Sequence, residues 1–240
     1  MTNRIAETSR RQAALIAGAG YLIIFVLAIF ANFMVRTGLI EAGDPAATAS
    51  NIMDSEGLFR LGLVAFLIVF VVDVVIAWAL YIFFRDLSQE YSLLSAWFRL
   101  VYTVFLGVAV IFFFVALQLL SGADYLNAFD TDQLNTQTLV VLDAFNYTWL
   151  VGLFAFGIHL ILMGYLIVRS GWVTVLLGYV LMVAGAAYMA DTLANALLAN
   201  YDDVAGVFLV IVAVPSVIGE LWLTIWLLAR GGKETAVAPS

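Results

Sequence analysis

Six long apolar runs, separated by short polar connections, organise the chain. They cover residues 12–35, 58–84, 92–120, 139–168, 172–198 and 204–229. Each exceeds or matches the roughly 20 residues a helix needs to cross a ~30 Å hydrocarbon core. The apolarity is continuous, without the alternation of barrel strands, so the pattern predicts helices. The predicted fold class is an all-α integral membrane protein, a six-transmembrane-helix bundle. Residues 1–240 read as a single membrane domain with a flexible polar tail over 231–240. In the first long connection, Asp44-Pro45 predicts the N-terminus of a short helix on the membrane surface. Residues 121–138 read as a second polar loop.

Basic residues set the expected orientation. Arg4, Arg10, Arg11, Arg85, Arg169, Arg230 and Lys233 fall on the side of the N-terminus, and Arg36 and Arg60 on the other. Glu41, Asp44, Asp54, Glu56, Asp124, Asp130, Asp132, Asp143, Asp202 and Asp203 gather opposite the arginines. Both termini are therefore expected to be cytoplasmic, in the plasma membrane of a prokaryote. Arg10-Arg11 before an apolar run resembles a twin-arginine export signal, but that run exceeds twenty residues and five more follow. An uncleaved first helix with positive anchors is the preferred reading.

Composition removes whole classes of chemistry. The chain is 65% hydrophobic and 11% charged, with a mean hydropathy of +1.07. Soluble domains carry about 25% charge, so a water-soluble globule is excluded. The absence of cysteine excludes disulfides and thiolate chemistry, and a single histidine excludes His-cluster metal sites. The one lysine, Lys233, lies in the tail and cannot form an intramembrane Schiff base. No cofactor, no metal and no nucleic-acid partner is expected; the lipid bilayer is the first partner.

The informative residues are the ones that cost free energy in lipid. Asp73 lies twelve residues before Arg85, His159 ten before Arg169, Glu220 ten before Arg230, and Arg99 eight after Tyr91. At 1.5 Å per residue all four stand ~12–18 Å from the same ends of their spans. Tyr102 shares a face with Arg99, and Ser216 and Thr224 share one with Glu220. Pro215 removes a backbone donor five residues before Glu220. Asp73, Arg99, Tyr102, His159 and Glu220 are thus the candidate ligand or proton site. A second polar layer, Arg60, Asp143, Asn146, Tyr188, Asp191 and Asn195, is expected nearer the other ends, with Arg60 pairing Asp191 or Asp143. The bland alternative is that Arg99 pairs with Asp73 or Glu220 merely to fix helix order. The glycines, tryptophans and methionines within the spans read as packing and interface residues.

The strings Ser95-Ala-Trp97-Phe-Arg99-Leu-Val-Tyr102 and Gly157-Ile-His159-Leu, then Gly164-Tyr165, Arg169-Ser-Gly171, Leu177-Gly178, Gly185, Tyr188 and Asp191, form a set with Leu58-Phe-Arg60-Leu-Gly and Asp73. They resemble the prokaryotic multi-pass membrane family catalogued as domain of unknown function 4386. The likeness runs from about residue 12 to residue 229. It departs at Trp172-Val-Thr174, where the family pattern leads one to expect a proline and a basic residue. What the resemblance implies is a six-helix fold and no particular activity.

Three functions fit the residues. The first is a small-ligand or proton-linked transporter or sensor, alone or as a homodimer, with Arg99 as fixed cation and Glu220 and His159 as proton-exchanging groups. The second is a non-catalytic assembly subunit whose charges lock helices together. The third is an intramembrane enzyme acting on a lipid-like substrate with His159 as base, although no Gly-x-Ser-x-Gly elbow or paired-acid metal motif accompanies it.

Overall fold

A computed structural model describes residues 7–233. Arg4 and most of the tail lie outside the described residues. Among the described residues, six helices are long and apolar enough to span a membrane: α1 (Arg10–Leu39), α3 (Glu56–Phe84), α4 (Gln89–Leu119), α5 (Thr131–Ser170), α6 (Val175–Leu197) and α7 (Tyr201–Ala229). No strand occurs among the described residues, and the chain is a multi-pass helical membrane protein. The short helix α2 (Pro45–Asp54) begins at the expected signal, Asp44 accepting a hydrogen bond from the Ala47 amide at 2.9 Å.

Two local features depart from the expected pattern. The polar segment before residue 139 is largely helical, because α5 starts at Thr131. Asp130 Oδ1 accepts from the Gln133 amide at 2.8 Å, while Gln133 Oε1 accepts from the Asp130 amide at 3.2 Å. This reciprocal cap satisfies two donors that would otherwise be orphaned, and lets a polar sequence start a helix. In α1, residues Phe30–Arg36 form a π-helical turn. Asn32 Nδ2 donates to the Ala28 carbonyl at 3.0 Å, and the Thr37 hydroxyl reaches the Asn32 and Phe33 carbonyls. Such side chains compete with the backbone ladder and loosen it locally. Hydropathy does not report that competition.

The chain divides into two compact units. The first comprises residues up to Leu22, then Asp73–Val101 and everything from Leu153 onward. It is held by close approach of α5 and α6. A methyl group on Gly164 would lie 2.4 Å from the Gly178 carbonyl oxygen, and one on Gly157 would lie 2.6 Å from that of Gly185. Small residues at these crossings are what packing without a hydrophobic drive requires. Arg11 joins α1 to the end of α7, donating to the carbonyls of Leu227, Leu228 and Gly231 at 2.7–3.0 Å. It thereby occupies the unpaired carbonyls of that helix terminus. Arg10 stacks over the Trp172 ring at 4.2 Å. The two arginines read as anchors thus have specific packing roles. Thr174, within the stretch that departs from the family pattern, caps α6 by accepting from the Leu176 amide.

The second unit comprises Ile23–Val72 and Tyr102–Gly152. Its core is aromatic: Phe59 stacks on Phe113 at 4.7 Å, Phe113 lies 4.6 Å from Phe145, and Phe66 meets Phe113, Phe145 and Trp149. On α7, in the first unit, the apolar side chains Leu209, Val210, Val214 and Ile218 are exposed, as lipid-facing residues of a membrane span would be.

Candidate functional site

Four spans bring one polar network together in the first unit. Asp73 of α3, Arg99 of α4, His159 of α5 and Tyr21 of α1 are each no more than 2% exposed. Ser95 lies one helical turn before Arg99, so both face His159 from the same side of α4. Arg99 Nε donates to Asp73 Oδ1 at 2.9 Å, and Nη2 donates to the same oxygen. Nη1 donates to the Tyr21 hydroxyl at 2.7 Å and meets His159 Nε2 at 3.2 Å. The guanidinium also sits over the Tyr21 ring at 4.8 Å and the Phe156 ring at 5.4 Å, a geometry that stabilises a desolvated cation.

The chemistry of arginine fixes the state of histidine. A guanidinium only donates, so His159 Nε2 must accept and the imidazole proton resides on Nδ1. Nδ1 lies 2.9 Å from both the Ser95 carbonyl oxygen and the Ser95 hydroxyl. The ring is therefore neutral, with both nitrogens occupied. Arg99 and Asp73 cancel, leaving a network with no net charge in which four of the five Arg99 donors end on the groups named. An acid–base role for His159 toward a lipid would require Nε2 to be released from Arg99.

Glu220 stands apart in kind. It is close enough to Arg99, Asp73 and Tyr21 to interact electrostatically with all three. Its carboxylate nevertheless makes no hydrogen bond or ion pair among the described residues, and the residue is half-buried rather than sealed. One turn earlier on the same face of α7, the Ser216 hydroxyl is buried without a hydrogen bond. The Tyr188 hydroxyl approaches both. Pro215 lies between this face and the carbonyl of Ile211, which loses its helical donor.

Other expected residues separate. Tyr102 belongs to the second unit, where its hydroxyl accepts from Trp149 Nε1 at 3.4 Å. Arg60 does not pair with Asp191 or Asp143; it takes Glu56, one turn before it, at 2.6 Å in solvent reach. An i,i+4 partner costs less ordering than a distant one. Asp143 is exposed, Asn146 binds Arg36, and Asp191 accepts from the Tyr201 hydroxyl at 2.6 Å, near Asn195. Arg60, Asp143 and Asn146 fall in the second unit, and Tyr188, Asp191 and Asn195 in the first.

Tyr21 and Ser95 were not among the residues expected from sequence. Tyr21 had a legible signal: it lies eleven residues after Arg10, deep within a span, whereas membrane tyrosines concentrate at the interfaces. Ser95 carried none, because a serine facing inward resembles any other.

Comparison with known proteins adds a family. A family model described as "Domain of unknown function (DUF4386)" matches residues 16–231. An archaeal relative from Archaeoglobus fulgidus, described as "Uncharacterized protein", is 28% identical over 175 residues, covering 73% of this chain and 86% of its own. No solved structure matches.

Proposed function

Because the chain belongs to the DUF4386 family, whose description assigns no activity, we propose from its own geometry a proton-linked membrane protein of the transporter or sensor type. Glu220 is the group that exchanges a proton. The closed network of Arg99, Asp73, His159 and Tyr21 is the fixed electrostatic wall beside it. The observation that carries the reading is the contrast between these groups. Every ionisable side chain of the network is sealed and partnered, and Glu220 is neither. A second charge on an already neutral centre in low dielectric is costly. Gaining and losing a proton is the inexpensive response. Ser216 and Tyr188 stand beside it, and a bound water or small ligand would satisfy the Ser216 hydroxyl. The setting is a prokaryotic plasma membrane with both termini cytoplasmic.

The test is proton flux into liposomes carrying the full chain and an internal pH dye. Wild type is expected to equilibrate an imposed pH gradient faster than protein-free vesicles. Glu220→Gln should reduce that excess by at least about tenfold, and Glu220→Asp should retain part of it. Equal flux in wild type and Glu220→Gln would remove the transporter reading, and identical infrared pH-difference spectra of the two would remove the sensor reading with it.

A second reading, a non-catalytic assembly subunit, draws support from the closure of the network itself, since every donor named on Arg99 ends on a protein group. Under it Glu220→Gln changes stability and nothing else.

A further inference from the structure

Arg36 closes the π-helical turn of α1, in the second unit, and its surroundings are unlike those of Arg99. Nη1 donates to Asn32 Oδ1 at 2.7 Å and Nη2 donates to Asn146 Oδ1. The guanidinium carbon sits 5.1 Å from the ring centres of both Phe145 and Trp149. The amide of Asn32 is held in one orientation, since its Nδ2 donates to the Ala28 carbonyl; its oxygen must face Arg36. Neutral oxygens and aromatic faces therefore surround a half-buried cation. No carboxylate pairs with it among the described residues.

This is an incomplete site. A guanidinium carries five N–H donors, and the two hydrogen bonds to Asn32 and Asn146 leave three without a protein acceptor. Removing a cation from water without a counter-charge is unfavourable, and the aromatic contacts offset a fraction of that. An arginine fork presents paired, parallel donors that match a planar oxyanion. One cation calls for one negative charge, and the half-buried Trp149 ring lies beside it.

We infer that Arg36, framed by Asn32, Asn146, Phe145 and Trp149, is the receptor for a small organic monocarboxylate. The π-helical turn matters because it supplies the cradle: Asn32 within it both breaks the regular ladder and holds the guanidinium. The site is independent of Glu220 and stands or falls separately.

Thermal unfolding of the purified full chain in detergent, at constant ionic strength, tests it. Acetate and butyrate should raise the melting temperature of wild type by a few degrees in a saturable manner. Acetamide and butyramide, which keep the shape without the charge, should not. Arg36→Gln should abolish the response, and Arg36→Lys should weaken it by losing the fork. Asn146→Asp places a carboxylate against the guanidinium, so it should raise the ligand-free melting temperature and remove the response. That variant keeps the test decisive where Arg36→Gln does not fold. Equal stabilisation by chloride or inorganic phosphate, a response that survives in Asn146→Asp, or no response to either carboxylate would each overturn the inference.

Discussion

Nη1 of Arg99 lies 3.2 Å from Nε2 of His159, and that contact determines which imidazole nitrogen carries the proton. The chain has one histidine, so its ring resonances need no assignment. Selective 15N labelling at pH 7 should show a neutral imidazole protonated on Nδ1. A spectrum of the Nε2–H tautomer, or of the imidazolium, would mean that Arg99 does not donate to this ring.

Asp73 and Arg99 are a buried ion pair, and the two directions of perturbation should differ. Asp73→Asn leaves a desolvated cation without its partner and should cost about 3–5 kcal/mol. The double variant Asp73→Asn, Arg99→Met should recover much of that loss. Denaturant or thermal unfolding in mixed micelles reads both, and strictly additive losses would show that the two residues are not coupled.

Tyr21→Phe removes one hydrogen bond to a charged donor and keeps the ring beneath the guanidinium. The expected cost is about 1.5–3 kcal/mol. A change well below that range would show that the hydroxyl is not part of the network.

Two glycines give opposite expectations. Gly164→Ala would drive a methyl group to 2.4 Å from the Gly178 carbonyl oxygen, so α5 and α6 must separate, at about 1–3 kcal/mol. Gly206→Ala in α7 meets nothing within 4 Å and should stabilise by up to about 1 kcal/mol through helix propensity. Comparing their melting temperatures checks the helix contact without touching any polar residue.

Asp130→Ala should release the reciprocal cap of α5. Faster amide exchange confined to residues 131–138, with a loss of about 0.5–2 kcal/mol, is the expected signature. Unchanged exchange there would show that the polar start of α5 is held by something else.

The spans were legible because lipid imposes a simple rule on composition, and the family resemblance rested on polar residues at set places within them. Asp73, Arg99 and His159 were legible as a layer because charge in lipid is costly enough to be informative singly. The partners were harder. Tyr21 and Ser95 are ordinary residues in a span, and only their orientation makes them part of the network. The roles within the layer were not legible either. Depth along a helix does not say which face a side chain takes, so Glu220 could not be told from its neighbours. The π-helical turn at Phe30–Arg36 was invisible for a related reason: it arises from hydrogen-bond competition by Asn32 and Thr37, and leaves hydropathy unchanged. Arg60 shows the same limit at the surface, where a partner one turn away competed successfully with the distant acids expected from depth.

Infrared difference spectroscopy of the full chain, stepped between acid and alkaline pH in lipid, most directly tests whether Glu220 exchanges a proton. The account predicts that one component of the protonated-carboxyl absorption appearing on acidification in wild type is missing in Glu220→Gln, while the bands of the other acids are common to both. Identical pH-difference spectra of wild type and Glu220→Gln in the carboxyl region would contradict it.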